Sequence, residues 1–420
     1  MNIIKKYPLY RKFLASNFIS SIGDSMYYIA LLTFASQFTN SGLAISMVTL
    51  SESIPGIFFI VTGSLADMSQ NKAKRNLING VIRGVLYLIV GIMIGFDSSL
   101  MLLAGICLLN FISDIIGKYS SGLMTPFVLF LVNQEDIEEA QGLNGAITNL
   151  VSLLAQFVGA YLMGIFSYQV LAWINSGAFF ITAIIMLSMK ASLDKIEQEK
   201  LPQPTGEKVS LIRMVRQISH SLKEIKKCQP VFRAIIMFAI ANGGLVVLIP
   251  LISMLFSQQP QLVINNFPFT LALSQAMISV GVILGSLFGP VVLRNVSLFV
   301  ICQGMFVGIG LTAIGMYSHL IWLILASLLL VGLLIGAASP KLNVLILNSF
   351  DVTKLGTING GINSLLLIVP PLGTIIFTTT ATSLNLSAAT LLLVIFSVIS
   401  FIVGQLQPKL SSSEPIKTTP

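Results

Sequence analysis

Long apolar stretches alternate with short polar connections along the whole chain. Twelve of these stretches are close to the roughly 20 residues that a helix needs to cross the hydrocarbon core of a bilayer. We number them spans one to twelve; they cover residues 13–38, 42–66, 77–96, 99–125, 141–165, 169–189, 231–257, 269–293, 296–317, 320–346, 356–381 and 384–406. The pattern predicts an all-α membrane protein with twelve transmembrane helices.

One long polar stretch, residues 190–230, separates the first six spans from the last six. Its second part carries apolar residues at helical spacing with basic residues elsewhere on the wheel, which predicts an amphipathic helix in the headgroup region. We therefore expect an N-terminal six-helix bundle (1–189), a cytoplasmic linker with an amphipathic helix (190–230) and a C-terminal six-helix bundle (231–420).

The two halves of the chain also resemble each other in sequence. Asn133, Asp136, Asn144 and Gly145 recur at one constant offset as Asn348, Asp351, Asn359 and Gly360, and Gly63-Ser64-Leu65 recurs as Gly285-Ser286-Leu287. Two pseudo-symmetric six-helix bundles are the organisation of carriers that rock around a central site. The repeat therefore favours a secondary transporter over a channel or a membrane enzyme.

Composition and charge agree with a membrane protein. Hydrophobic residues make up 55% of the 420 residues and charged residues only 10%, against roughly a quarter charged in soluble domains. Except for Lys118, the basic residues lie in connections on one side of the membrane; Lys72, Lys74 and Arg75, with Arg83 just beyond, follow span two. Because positive charge is retained in the cytoplasm during insertion, we expect both termini to be cytoplasmic in a bacterial plasma membrane. The net charge of +8 is this topology signal, so no nucleic-acid partner is expected.

Catalytic and metal-binding chemistry finds no support in the sequence. His220 and His319 are isolated, and so are Cys107, Cys228 and Cys302. Glycine-rich phosphate loops are absent, and no cysteine spacing suggests a metal site. We expect neither an enzyme nor a cofactor, so the energy for transport must come from an ion gradient or from the gradient of the substrate itself.

Ionisable residues inside the apolar spans are the main functional signal, since each costs about 2.5–3.5 kcal/mol at the bilayer centre on insertion scales. Four lie deep: Asp24 in span one, Glu52 in span two, and Asp114 and Lys118 in span four. We predict that they couple transport to protons, with Asp24 as the first choice. Asp114 and Lys118 have the i, i+4 spacing of a helical ion pair. A purely structural role, as a protonated acid or a fixed ion pair, is the alternative for each.

Five further side chains in the spans are candidates for the wall of a substrate cavity: Tyr27, Tyr28, Phe111, Asn242 and Met254. Lipid contact or helix packing is the alternative for each of them.

Glycines and prolines predict where the helices bend or pack closely. Pro55, three residues after Glu52, predicts a kink in span two, and Asn242-Gly243-Gly244 predicts an unwound turn in span seven. Gly281, Gly285 and Gly289 follow at four-residue steps and predict a close-packing stripe on span eight.

The connection after span two carries a motif. Gly63 is followed by Asp67 and then by Lys72, Lys74 and Arg75. This resembles the cytoplasmic loop signature of the major facilitator superfamily, which has a glycine, an acid four residues later and then basic residues. We expect Gly63 to let two helices approach closely, and Asp67 to cap span three or to pair with a basic residue as part of a gate.

Within that superfamily the chain resembles the macrolide-efflux type of bacterial drug exporter. The resembling stretches are residues 17–24, 250–254, 285–289, 355–356 and 371–373. The resemblance implies proton-driven export of bulky, often cationic lipophiles.

We therefore expect a secondary active transporter that exports hydrophobic or cationic drug-like molecules in exchange for protons by alternating access. Its partners would be a small-molecule substrate, protons and membrane lipid, and it would act as a monomer. Two alternatives stay open. One is an importer or facilitator of a small metabolite with the same fold, and the other is a lipid-handling or non-transporting membrane sensor.

Overall fold

The structure, a computed structural model, describes residues 2–133, 136, 150–151, 154–155, 157–201, 223, 225–349 and 355–405. In these residues all regular secondary structure is helical, and ten helices are long and apolar enough to cross a membrane. The predicted all-α membrane fold is confirmed. The described residues do not include 141–149, 152–153 and 156 of predicted span five, most of the amphipathic helix, or the repeat residues Asn144, Gly145 and Asp351.

The observed helices follow the predicted order. A short helix, Asn2–Lys6, precedes span one. The spans run over Pro8–Ser36 (one), Ser41–Ser53 and Phe59–Asp67 (two), Lys72–Ile94 (three), Leu100–Leu131 (four), Tyr168–Lys200 (six), Gln229–Leu245 and Leu248–Gln258 (seven), Phe267–Val292 (eight), Leu298–Tyr317 (nine), Ile321–Ser349 (ten), Leu355–Ser383 (eleven) and Leu386–Gln405 (twelve).

Serine residues set the first turns of three spans. The Ser99 hydroxyl accepts a hydrogen bond from the backbone N–H of Leu102, 3.1 Å away, at the start of span four. Ser167 and Ser297 cap spans six and nine in the same way. Each serine satisfies an N–H group that has no partner inside the helix. The short polar breaks between apolar runs are therefore helix boundaries, as the sequence predicts.

Two spans are interrupted near their centres. In span two a 3-10 turn, Ile54–Phe58, begins two residues after Glu52, because Pro55 cannot donate a helical hydrogen bond. In span seven the helix continues to Leu245 and is broken at residues 246–247. The predicted unwinding at Asn242-Gly243-Gly244 was therefore wrong by a few residues, since the glycines remain helical and the break follows them.

Span six is longer than predicted. The apolar run ends near residue 189, but the helix continues to Lys200. Ion pairs at i, i+4 spacing support the extension, Lys190 with Asp194 and Lys195 with Glu199 at 3.9 Å. Residues 190–200, the first part of the predicted linker, are therefore helical.

The chain divides into two compact units. Unit 1 comprises Met1–Ser210 and Val263–Leu273, and unit 2 comprises Leu211–Leu262 and Ser274–Pro420. In unit 1, Tyr10, Phe13, Phe127 and Met189 form an apolar cluster with side chains of spans one, four and six. In unit 2, the predicted glycine stripe of span eight packs directly on the backbone of span ten.

Candidate functional site

A buried arginine organises the ionisable residues of unit 1. Arg83 lies inside span three and is 8% exposed. Its Nη2 lies 3.3 Å from both carboxylate oxygens of Asp24 in span one. Its Nε donates a hydrogen bond of 3.0 Å to the Ser113 hydroxyl in span four. Arg83 therefore joins three spans through charge-assisted contacts.

Asp114 is the second acid of this arginine. Its Oδ1 lies 3.8 Å from the Arg83 Nη2. The predicted helical ion pair of Asp114 with Lys118 was wrong: among the described residues, the ion-pair partner of Asp114 is Arg83. Lys118 still interacts electrostatically with Asp114 and with Glu52. A partner on a neighbouring helix thus takes the place of the partner one turn away.

Glu52 is connected to the neighbouring spans through the side-chain amide of Asn110. The Asn110 Nδ2 donates to the Glu52 Oε1 at 2.9 Å, and the Asn110 Oδ1 accepts from the Tyr87 hydroxyl at 2.8 Å. The side chain of Asp114 also lies close to Glu52. Glu52 lies two residues before the 3-10 turn of span two, where the helix geometry changes. The three predicted acids are therefore gathered in one cluster around Arg83 and Asn110.

Aromatic rings hold the guanidinium in place. The Arg83 Cζ lies 3.9 Å from the centroid of the Phe179 ring, and the Tyr87 ring stacks on the same ring at 5.4 Å. A cation held on an aromatic face is stabilised beyond simple packing. A Cβ added at Gly117 would lie 3.2 Å from the guanidinium, so the small residue makes room for it.

The cluster contains three carboxyl groups and two basic groups, counting Lys118. The side chains of the cluster differ in their exposed fraction. The Asp24 side chain is 39% exposed, whereas that of Asp114 is 16% and that of Arg83 is 10% exposed. With all groups ionised, one negative charge has no positive partner, and a proton or an organic cation could balance it. Asp24 is the acid that such a ligand reaches most easily.

The sequence reasoning overlooked Arg83. Its position inside the apolar run 77–96 was the signal, but we assigned Arg83 to the basic connection that ends at Arg75. A basic residue that directs membrane insertion and one that serves transport cannot be told apart when they are close in sequence.

The loop motif is held together by a lysine. The Lys72 Nζ donates hydrogen bonds to the backbone oxygens of Ala66 and of Asp67, the latter at 3.1 Å. Lys72 is 6% exposed, and its ammonium group satisfies carbonyls that end span two. Asn71, just before span three, has a left-handed backbone with φ of 53°, which asparagine tolerates well.

Two predictions about this motif were wrong in detail. Span three is capped by Glu197 of span six, whose carboxylate accepts from the Lys72 N–H at 2.9 Å, and not by Asp67. The other predicted role of Asp67, pairing with a basic residue, stays a prediction; its exposed carboxyl group interacts electrostatically with Lys72. A Cβ added at Gly63 would meet nothing within 4 Å. The glycine that permits close packing here is Gly122, where a Cβ would lie 2.8 Å from Ala66.

The predicted cavity residues have different surroundings. Tyr27 and Met254 are 2% and 1% exposed, whereas Tyr28 and Phe111 are half-buried. Phe111 packs edge-on against Phe58 at 6.0 Å. Asn242 donates to the backbone oxygen of Leu366 at 3.4 Å, so its amide ties span seven to span eleven.

An apolar cavity of about 370 Å³ lies within unit 2, between spans seven, eleven and twelve. Its lining includes Ile240, Gly243, Val369, Leu372, Phe377 and Phe396. This lining offers dispersion contacts and hardly any hydrogen bonds, in contrast to the charged cluster of unit 1.

The fold and the site define a membrane transporter. The family model of the Major Facilitator Superfamily matches residues 13–373, and the chain therefore belongs to this superfamily. An uncharacterized MFS-type transporter of Bacillus subtilis (strain 168), YfiS, is 29% identical over 216 residues. That match covers 49% of this chain and 50% of YfiS, so the chain spans about half the length of this curated relative.

Solved structures of transporters have the same fold. The nucleoside transporter NupG superposes with a TM-score of 0.68 at 14% identity, over 96% of this chain and 100% of NupG. A POT family transporter in complex with 5-aminolevulinic acid gives 0.65 at 13% identity, over 95% of each chain. A bacterial homologue of the iron transporter ferroportin gives 0.63 at 14% identity, over 95% of this chain and 99% of that one. At these identities the similarity shows the fold alone. The family model and the Bacillus subtilis relative are those of transporters and not of enzymes.

Proposed function

We propose that this protein is a secondary active transporter that exports hydrophobic or cationic small molecules, such as drug-like or macrolide-like compounds, in exchange for protons. The observation that carries the proposal is the cluster of Asp24, Glu52 and Asp114 around Arg83 in the N-terminal unit. Charges at this depth are costly in a membrane protein and most often serve transport.

The charge balance of the cluster supports exchange. Three carboxyl groups face Arg83 and Lys118, so one negative charge is left over. A proton on Asp24 or a cationic substrate beside it would each neutralise this charge, and the two would compete. Competition for one carboxylate is the simplest coupling between a proton and a cation that move in opposite directions.

The geometry also offers a switch between the two states. Arg83 lies 3.3 Å from Asp24 and 3.8 Å from Asp114 through the same nitrogen. When Asp24 takes up a proton, its attraction for Arg83 falls, and the guanidinium is then drawn towards Asp114. Such a shift changes the contacts between spans one, three and four, which a transport cycle can use to favour one conformation.

Direction and substrate class rest on the resemblance to macrolide-type exporters and on the apolar chemistry of the C-terminal unit. The apolar cavity of about 370 Å³ in that unit supports a hydrophobic substrate. By the distribution of basic residues, both termini face the cytoplasm.

The experiment is transport by purified protein in liposomes with an imposed pH gradient. We expect Asp24→Asn to abolish proton-driven movement of a lipophilic cation, while exchange of labelled for unlabelled substrate continues. Asp97→Asn, at an exposed acid between spans three and four, is the matched control and should transport normally. Normal proton-driven transport by Asp24→Asn would refute the proposal.

A cellular measurement tests the direction. Cells that express the protein should lose a preloaded cationic dye faster than empty-vector cells, and a protonophore should remove the difference. Equal dye loss from both cells would exclude export of this substrate class.

A second candidate is an importer or facilitator of a small polar metabolite. It is favoured by the fold similarity to a nucleoside transporter and to a POT family transporter bound to 5-aminolevulinic acid. Uptake of labelled nucleosides or of 5-aminolevulinic acid by the same liposomes, without dye transport, would establish this candidate in place of the first.

A further inference from the structure

Two carboxyl groups of the charged cluster face each other. Asn110 and Asp114 lie four residues apart on span four, so their side chains project from one face of that helix. The Asn110 Nδ2 donates to the Glu52 Oε1 at 2.9 Å, which places Glu52 of span two on this face. The carboxyl groups of Glu52 and Asp114 lie within hydrogen-bonding distance of each other. An acid of span two therefore meets an acid of span four.

A hydrogen bond between two carboxyl groups needs a proton. An ionised carboxylate can only accept, so one of the two groups must carry an O–H group in order to donate. Two carboxyl groups that share a site titrate as a pair, because their like charges oppose the ionisation of both. The contact between Glu52 and Asp114 therefore requires one proton on the pair.

The amide of Asn110 is oriented so that it does not take this proton. The Tyr87 hydroxyl donates to the Asn110 Oδ1 at 2.8 Å, which fixes the orientation of the amide. The amide nitrogen is then directed towards span two, where it also lies 3.3 Å from the Ser51 hydroxyl oxygen. Asn110 thus donates to Glu52 and does not accept from it, and Asp114 is the acceptor within reach of an O–H group on Glu52.

The two basic groups of the cluster match the charge that remains. The Arg83 Nη2 lies 3.3 Å from both carboxylate oxygens of Asp24 and 3.8 Å from the Asp114 Oδ1, so Asp24 is its closer partner. Lys118, one turn after Asp114, interacts electrostatically with both members of the pair. With Asp24 paired to Arg83 and one proton on the pair, Lys118 balances the single negative charge that is left.

The other ionisable side chains that act on the pair add no charge near neutral pH. They are three tyrosines and a thiol: Tyr27, Tyr28, Tyr87 and Cys107. The shared proton is therefore what makes the cluster electrically neutral.

We propose that Glu52 and Asp114 share a single proton, and that this proton is the one exchanged for a cationic substrate. The second part rests on the proposed function. A cation beside Asp24 adds one positive charge to a balanced cluster. Loss of the proton breaks the O–H bond of the pair, passes the proton to water and leaves two carboxylates, which restores the balance.

Infrared difference spectroscopy detects the shared proton directly. A protonated carboxyl group has a C=O stretching band that an ionised carboxylate lacks, and this band shifts in D2O. Purified wild-type protein at pH 7 should show the band. Glu52→Gln and Asp114→Asn should each remove it, because the acid that remains is balanced by a base and ionises. Asp97→Asn, at an exposed acid, is the control and should leave the band unchanged.

The pair of variants separates a shared proton from a proton that belongs to one acid. A band that survives in either Glu52→Gln or Asp114→Asn would assign the proton to the remaining acid alone and overturn the sharing. A wild-type spectrum without the band would overturn it as well. Both amides can donate an N–H group where the proton lies, so both variants are expected to fold. If one does not, wild-type protein with 13C-labelled aspartate or glutamate carboxyl groups decides, since a shared proton gives a band that responds to both labels.

Transport by Glu52→Gln tests the exchange of the shared proton. Proton-driven movement of tetraphenylphosphonium, a lipophilic cation, into or out of liposomes should be lost, because glutamine has no proton to release. Normal proton-driven transport by Glu52→Gln would overturn the role of the pair in coupling, even if the band is lost. If Asp24→Asn keeps proton coupling, the proposed function fails, whereas the infrared band still decides whether Glu52 and Asp114 share a proton.

Discussion

The two halves of this transporter share a sequence repeat but bury different chemistry. The N-terminal half buries Arg83 and Lys72 and gathers three acids around the arginine. Spans seven to twelve contain no aspartate or glutamate, and the buried polar groups in the described part of unit 2 are hydroxyls and amides, such as Ser253, Thr312 and Gln303. The repeat thus specifies the helix arrangement, whereas the ionisable residues are confined to one copy.

The halves differ in backbone packing as well. Gly63 and Gly285 occupy matching positions in the repeated tripeptide. A Cβ on Gly63 would meet nothing within 4 Å, but a Cβ on Gly285 would lie 2.1 Å from the Leu333 carbonyl oxygen. From the other side, Gly332 and Gly336 lie as close to the span eight backbone. The position of a Cβ on Gly285 is therefore filled by a neighbouring backbone, whereas that on Gly63 is open space, so the same tripeptide serves two packings.

The largest effect is expected at the centre of the charged half. Arg83→Met removes the positive partner of Asp24 and Asp114, which leaves two acids uncompensated. Breaking a buried ion pair costs about 3–5 kcal/mol, and we expect the lower end because the Asp24 side chain is 39% exposed. Thermal unfolding in detergent should show the loss, and proton-driven transport should be abolished.

The control for this variant lies in the other half. Arg294 is exposed, and Arg294→Met should keep both stability and transport. If Arg83→Met were as stable and as active as Arg294→Met, the charged cluster would have no role, and the contrast between the halves would disappear.

The matched glycines give the next effect. Gly285→Ala forces a methyl group against a backbone oxygen that cannot rotate away, and overpacking of this kind costs about 1–3 kcal/mol. Gly63→Ala adds the same methyl group in open space within a helix, where alanine is favoured over glycine by up to about 1 kcal/mol. Melting temperatures should therefore fall for the first variant and stay level or rise for the second. Equal shifts would show that the two glycines are equivalent after all.

Most of the fold was predictable from hydropathy, because every span must be apolar over about 20 residues. The C-terminal end of span six was not predicted, because hydropathy detects only the apolar part of a helix. Hydropathy detects contact with lipid, and the helix continues beyond the lipid through Lys190, Asp194 and Glu197. Helix formation in that segment rests on charge pairs at i, i+4, which an apolar run does not reveal.

The acids of the site were predictable, but their basic partner Arg83 and the pairing of the charges were not. The cost of a buried charge singled out Asp24, Glu52 and Asp114 from the sequence alone. Which base each acid meets depends on neighbouring helices, so Arg83 replaced Lys118 as the partner of Asp114. Gly63 departs from its prediction for a similar reason, since the space around a glycine is set by the facing span, whereas the close packing predicted for Gly285 is found.

A smaller effect is expected where span six caps span three. Glu197→Ala removes the carboxylate that accepts from the Lys72 N–H at 2.9 Å, and loss of a helix cap costs about 1 kcal/mol. Glu199→Ala, whose 56% exposed side chain meets Lys195 only at 3.9 Å, should change stability by less than half of that. Equal Tm values for the two variants would show that the cap is not formed in solution.

The smallest effect concerns an ion cluster outside the membrane, at one of the repeated acids. Lys6 and Tyr7 each donate a 2.6 Å hydrogen bond to Asp136, and these bonds hold the pKa of Asp136 below its usual range. A lowered pKa means that the contact stabilises the folded state above the ordinary aspartate pKa of about 3.9 and is lost as the pH falls through the lowered value. Asp136→Asn should therefore have a lower Tm than wild type at pH 7, and the difference should close in acid. Asp97→Asn, at an exposed acid of the same unit, should match wild type at both pH values. A Tm difference for Asp136→Asn that persists unchanged into acid would mean that packing, and not the charge of Asp136, joins the N-terminal segment to the end of span four.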